Sequence, residues 1–340
     1  VSQTTPYVFR WDLDKTYLIS HFESLRKLLA VPFERGHDKV AVPGVTTVLK
    51  SLRLEASARG HSPQVYFLSA SPPQIGAAIR EKLAIDGIEY DGITFKDQVG
   101  HIVRGRFDAL REQIGYKLEK LLASARGIDF NSREFLFGDD WESDPYVYSL
   151  YADLLAGRIA PAALKAVLER AGVHRHYLRS IEAHLSWVEE APRHVVGGIF
   201  ILRQRRVLPV ELEALGPRLT WFDNYFECAL ALYARGLVSA SSVVDVARES
   251  GLPQRAIGAS FAAVAARRGM DRGYLEPPRK ALLRAGLMKP TPAGRVRTRA
   301  AAALRRALGG APMSRIRQSA VPDYVTLVDT WSHRRRKERR

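Results

Sequence analysis

Cysteine is almost absent from this chain of 340 residues. Cys228 is the only one, so no disulfide can form within the chain and a disulfide-built scaffold is excluded. It lies in an apolar helical run, where a thiol acts as core filler, and the low thiol count fits a reducing compartment. Long hydrophobic runs are missing too: no stretch reaches the ~18 apolar residues of a membrane-spanning helix. Val1–Tyr7 is polar, and Arg10 and Asp12 interrupt the apolar strand that follows, so a signal peptide is not expected. These absences lead to the expectation of a cytoplasmic protein. No fixed-period repeat is visible either. What is present is 46% hydrophobic residues, enough to bury a core and to exclude a wholly disordered chain. The length suits about two domains.

Charge is unevenly placed. The chain carries 52 Lys plus Arg against 36 Asp plus Glu, a net +16. Residues 236–340 hold 22 basic and 7 acidic side chains, a net +15, whereas residues 1–235 hold 30 and 29, a net +1. The division expected from this is residues 1–235 as one domain, 236–320 as a basic helical module and 321–340 as a flexible basic tail. Such asymmetry points to a polyanionic partner, either nucleic acid or an anionic membrane surface where the protein would sit peripherally.

In the neutral part, short β-prone segments alternate with helical spacing. Tyr7–Trp11, Gln64–Ser69, Gly92–Phe95, Glu134–Phe137 and His194–Leu202 predict strands. Glu23–Ala30, Val45–Ala58, Gln74–Ile85, Lys117–Ala125, Tyr146–Ala156 and Phe222–Arg235 predict helices. A helical insertion is expected over about 157–192. The alternation implies βαβ crossovers and a parallel sheet, with ligands beyond the carboxyl ends of its strands. Asp12, Ser69 and Asp139 fall at three such ends.

The central motif is Asp12-Leu13-Asp14-Lys15-Thr16. Residues i and i+2 of an extended strand share a face, which predicts that Asp12 and Asp14 serve one reacting phosphorus. One carboxylate can attack phosphorus in line and carry the phosphoryl group. A second can protonate the leaving oxygen and later deprotonate water. Two anions facing a phosphate need a cation, and Mg²⁺, with its preference for oxygen, suits the role. Asp139 adds a third carboxylate, Ser69 can donate to a phosphoryl oxygen, and a lysine can neutralise growing charge. Lys117 and Lys120, one turn apart, compete for that last role.

The order DLDKT, FLSAS, a helical lysine and GDDWESD resembles the haloacid dehalogenase-like phosphohydrolase superfamily. Within it, SASPPQI and GDDWESDPYVY are similar to the actin-patch-associated phosphatidate phosphatase family, whose patterns are DxDDT, SxSPWQ and GDSxxxDPxxY. The resemblance covers about Val8 to Ala156. It implies a Rossmann-like α/β fold and a Mg²⁺-dependent phosphatase with lipid phosphate as the favoured substrate. It also implies that Asp12 is the nucleophile, Asp14 the general acid/base and Thr16 the residue that orders the loop. Ser69 and Lys117 would hold the phosphoryl group, and Asp12, Asp14 and Asp139 the metal. Asp140 would be a possible metal neighbour, and Asp144 would orient Lys117 or support the metal. The chain departs from the family at Lys15, at Pro73 and at Asp140-Trp141-Glu142.

Neither Thr16–Gln64 nor Phe95–Lys117 has room for a large cap, so a small or absent cap and a bulky substrate are expected. A nucleic-acid end or a phosphoprotein fits that opening as well as a lipid does. The basic module reads as helices, among them two joined by a Gly-Leu-Pro turn at 251–253 and an Arg-rich stretch Arg297–Leu308. Helix-turn-helix DNA binding and attachment to anionic lipid both suit it. A non-catalytic nucleic-acid-binding protein on the same scaffold is the third reading.

Overall fold

β1 (Pro6–Asp12) lies inside a six-stranded sheet of order β3-β2-β1-β4-β5-β6. The computed structural model describes residues 5–19, 39–71, 73–96, 106–129, 131–141, 143–190, 195–204, 208–267, 273–290 and 321–328. The further strands are β2 (Ser62–Leu68), β3 (Gly92–Thr94), β4 (Arg133–Asp139), β5 (Val196–Leu202) and β6 (Leu219–Phe222). β1 pairs in parallel with β2 and β4, β2 with β3, and β4 with β5. The expected α/β, Rossmann-like parallel sheet is what the chain forms. β1 is covered on both sides, with Val8, Phe9 and Trp11 at most 1% exposed, which is why its sequence is almost continuously apolar.

The helices are α1 (Val45–Ala58), α2 (Gly76–Ile85), α3 (Arg106–Ala125), α4 (Asp144–Leu155), α5 (Pro161–Arg170), α6 (Arg175–Glu190), α7 (Pro209–Glu213), α8 (Tyr225–Ala234), α9 (Ala240–Glu249), α10 (Gln254–Ala266) and α11 (Glu276–Arg284). No helix among the described residues is long and apolar enough to cross a membrane. The helices expected at Glu23–Ala30 and Arg297–Leu308 lie outside the described residues. So do 20–38 and 97–105, where a cap would be inserted.

Two boundaries differ from expectation. Lys117 does not begin its helix, because α3 starts at Arg106 and takes up much of the interval assigned to a loop or hairpin. Gly115, a poor helix former, lies inside this helix. Here it is needed for packing: a Cβ at that position would lie 2.9 Å from Tyr177 Cβ of α6. The second difference is β6, which was not expected and whose last residue, Phe222, was read as the start of the following helix. α8 begins only at Tyr225, after Asn224, whose side chain accepts from Glu227 N at 3.0 Å as an N-cap.

The two faces of the sheet are built differently. On one, the rings of Trp11 and Phe137 stack at 3.9 Å and those of Phe137 and Phe200 at 4.9 Å. These residues are register partners across β1, β4 and β5, so the row follows from strand pairing. The other face packs against α3, α4 and the helical insertion. There Leu136, Ile199 and Ile201 join Leu118, Leu121, Val147, Leu150, Leu164, Leu168, Ile181 and Leu185 in one buried core. Residues 321–328 add to that core, with Tyr324 edge-on to Tyr146 at 5.5 Å and its hydroxyl donating to Asp153 Oδ2 at 2.8 Å.

The chain divides into two compact units, one of Val1–Ala41, Gly60–Trp221 and Ser319–Arg340, the other of Val42–Arg59 and Phe222–Gln318. This grouping does not follow the charge step at residue 236. α8, nearly uncharged and buried along Tyr225–Leu232, belongs with the basic helices, and so does α1. Within the second unit, Glu55 Oε1 accepts from Ser239 N and Ser242 Oγ at 2.6 Å each, and Glu249 Oε2 accepts from Thr47 N at 2.9 Å. Cys228 is wholly buried on α8, and burial pushes its thiol well above its usual range. It is core filler.

Candidate active site

Asp12 is the last residue of β1, Ser69 follows β2, and Asp139 ends β4. Neighbouring parallel strands therefore bring all three to the carboxyl edge of the sheet. Helices supply the remaining groups. α3 delivers Lys117, whose ammonium donates to Asp12 Oδ1 at 2.8 Å and also to Asp144 Oδ1. Asp144 is the first residue of α4, and it is buried, as are Lys117 and Asp12. Lys120, the alternative lysine, is 41% exposed and pairs with Glu119 at 3.1 Å. Lys117 is the lysine held among the carboxylates.

Asp12, Asp139 and Asp144 each offer one carboxylate oxygen within 4.8 Å of the others. Backbone and side-chain donors orient this set. Thr16 Oγ1 donates to Asp139 Oδ2 at 3.2 Å, Trp141 N to Asp139 Oδ1 at 2.6 Å, and Asp139 N to Asp144 Oδ2 at 3.3 Å. Gly138 makes room for the arrangement: a Cβ there would lie 2.7 Å from Asp144 Cβ and 2.8 Å from Tyr148 Cε2. A side chain at 138 would push the start of α4 off the sheet.

Asp14 is not a member of this set, and Asp144, expected as a supporting residue, is. Asp14 Oδ2 accepts from Ser69 Oγ at 3.1 Å and from Ser71 Oγ at 2.6 Å, and Ser69 Oγ accepts from Ser71 N at 3.0 Å. The strand stops at Asp12. The chain then turns, with Lys15 at φ 62° and Leu18 N bonded to Leu13 O at 2.8 Å. Ser71, part of the SASPPQI segment, was not among the expected site residues. Its position two residues after Ser69 was the available clue.

Exposure rises outward from the buried acids through Asp14 at 7% and Lys15 at 8% to Trp141 and the exposed Gln204. Lys15 Nζ lies 3.6 Å from the centre of the Trp141 ring. Gln204 Nε2 donates to Lys15 O at 3.0 Å, and Gln204 N donates to Asp140 Oδ1. Two departures from the family pattern, Lys15 and Trp141, are thus packed against each other at the rim. Tyr116 OH donates to Ser69 O at 3.1 Å, and burial holds its pKa above the usual range. Tyr148 is shifted upward too, by burial and then by the negative charge of Asp144. Both phenols stay protonated and serve as donors.

Three buried carboxylates and the ammonium of Lys117 make up the cluster. Buried charge requires a partner. Hard oxygen donors in this number suit a divalent cation that prefers oxygen. The donor set therefore fits such an ion. No protein-family model matches the chain, and no curated protein matches it.

Proposed function

We propose that this protein is a Mg²⁺-dependent phosphomonoester hydrolase of the haloacid dehalogenase-like kind, acting through Asp12. The observation that carries this reading is the chain Asp12–Lys117–Asp144 set beside Asp139 at the carboxyl end of a parallel sheet. In the proposed reaction, an Asp12 carboxylate oxygen attacks phosphorus and the bond from phosphorus to the ester oxygen breaks. Asp14, oriented by Ser69 and Ser71, gives its proton to the departing oxygen. It then takes a proton from the water that attacks the phosphorylated Asp12 and releases inorganic phosphate. Lys117 keeps Asp12 ionised and aimed, while Asp139 and Asp144 would hold the cation. When bound, that cation supplies charge neutralisation at the phosphoryl oxygens.

The sequence resemblance puts lipid phosphates first among substrates, followed by nucleic-acid ends and phosphopeptides. The test is phosphate release from a panel of lipid, nucleotide, sugar and peptide phosphates, with and without Mg²⁺, beside Asp12→Asn. Turnover that needs Mg²⁺ and vanishes in Asp12→Asn is the expected result. Undiminished turnover in Asp12→Asn, or none from any ester, would reject the reading.

A further inference from the structure

We infer that the second compact unit binds duplex DNA through α9, the turn after it and α10, with the exposed cations of α11 meeting the phosphate backbone. The inference stands apart from the phosphatase reading. Its first support is architecture. α8 is buried along most of its length and packs against both α9 and α10. These two helices are joined by only Ser250-Gly251-Leu252-Pro253. Gly251 adopts φ 62°, a left-handed value that ends α9 and redirects the chain, and Pro253 stands at the N-cap of α10. Ser250 Oγ donates to Ala247 O at 2.7 Å, and Gln254 Nε2 donates to Gly286 O at 2.8 Å, tying the start of α10 to the end of α11. Two helices joined by a short glycine-containing turn and backed by a third form the arrangement that lays its second helix in a DNA major groove. The deep, narrow groove of duplex RNA does not admit such a helix.

The second support is charge. Over Val42–Arg59 and Phe222–Gln318 the sequence has 20 Lys plus Arg against 7 Asp plus Glu, a net +13. Five of these seven acids are engaged within the unit. Among the described residues, Glu55 meets Arg59 and two serines, Glu227 meets Arg267, Asp245 meets Arg248, Glu249 meets Thr47 N, and Glu276 meets Arg279 through both oxygens. Arg255, Lys280, Arg284 and Lys289 are exposed. The excess positive charge thus faces solvent, complementary to a phosphate backbone.

The third support separates DNA from a membrane. An interfacial helix opposes its cations with exposed Trp, Phe or Leu. No large hydrophobic residue is exposed on α9, α10 or α11. The exposed positions of α10 are Arg255 and four alanines, so it has nothing bulky to insert among acyl chains.

The test is fluorescence anisotropy of a labelled mixed-sequence duplex with the full chain, over a series of salt concentrations. The triple variant Arg255→Gln, Lys280→Gln, Arg284→Gln should lose about tenfold in affinity or more and flatten the log–log salt slope by about 2 to 3. A control with three exposed cations of the other unit changed, Arg126→Gln, Arg133→Gln, Arg175→Gln, should bind within twofold of the parent. Single Arg255→Gln should show part of the loss, which keeps the test decisive if the triple variant is unstable. Asp12→Asn should bind as the parent does, even if it never hydrolyses an ester. Equal losses in the two triple variants, no binding at low salt, or displacement of the duplex by phosphatidylglycerol vesicles would overturn the inference.

Discussion

Two polar layers lie buried on the same face of the sheet, one step apart along β1, and they carry different charge balances. In the layer set back from the strand ends, Arg10 Nε donates to Glu134 Oε2 at 3.0 Å and Arg10 Nη1 to Ser124 Oγ at 2.9 Å. Tyr151 OH reaches both oxygens of Glu134, at 3.1 and 3.0 Å. Burial works against the charge on Arg10, but Glu134 outweighs it and holds the guanidinium above its ordinary pKa. One cation meets one anion, with the hydroxyls of Ser124 and Tyr151 bonded to them, and Arg10 Nη2 is buried without a hydrogen-bond partner among the described residues. In the layer at the strand ends, Lys117 meets Asp12 and Asp144, with Asp139 alongside. The same helices serve both layers: Lys117 and Ser124 on α3 are seven residues apart, as are Asp144 and Tyr151 on α4. Seven residues are two helical turns, so each pair looks onto the sheet from one side of its helix. The comparison separates a paired network of one cation and one anion, which holds strands together, from a cluster of three carboxylates gathered at Lys117.

The largest expected effect is on the layer at the strand ends. Asp12→Asn should cut phosphate release by on the order of 10⁴-fold or more, while the melting temperature holds or rises because a like charge is removed. A matched pair of variants comes next. Lys117→Met and Arg10→Met should each cost about 3–5 kcal/mol by urea titration in the presence of a chelator, since each strands buried carboxylate. Millimolar Mg²⁺ should restore much of the loss in Lys117→Met and none in Arg10→Met. Equal responses would erase the distinction between the layers. Gly138→Ala should cost ~1–3 kcal/mol and abolish the Mg²⁺-induced rise in melting temperature, because it displaces Asp144. Gly197→Ala, whose Cβ would meet Phe135 Cε1 at 2.9 Å, should lower stability with the ion response intact.

The smallest effect calibrates these against a partly exposed acid. Glu55 is opposed by some burial, but its bonds to Ser242 and Ser239 and the charge of Arg59 bring its pKa below the ordinary 4.5. A carboxylate depressed on folding stabilises above its unfolded pKa, and that contribution is lost as pH falls through the folded value. Glu55→Gln should therefore flatten the decline of stability with acidity below about pH 4.5, by well under 1 kcal/mol for so exposed a pair. A decline as steep as that of the parent would show that Glu55 is not responsible.

Much of this was legible in residue order. β1, β2, β3 and β4 stand within a few residues of their predicted spans, and Asp12, Ser69 and Asp139 lie at one sheet edge as the alternation of strands and helices required, with Lys117 reaching Asp12 from α3. Cys228 is core, as its apolar surroundings implied. The hold of Ser69 and Ser71 on Asp14 was not legible, because alternation along a strand describes the chain only while the strand continues. Arg10 read as an interruption of an apolar strand, since nothing local shows that it will meet Glu134, 124 positions away. The assignment of α1 and α8 to the basic unit was hidden for a similar reason: neither helix has the charge that marked that unit in the sequence.

Residue order alone therefore determined the parallel α/β sheet and the kinds of group at its carboxyl edge, because periodicity and strand ends are local properties. Only the tertiary structure decided which carboxylates share one ammonium and which acid the serines hold instead. It also decided which glycine must lack a side chain and which helices make up each unit. Those outcomes depend on distances between groups far apart in the chain, and such distances exist only once strands and helices have packed.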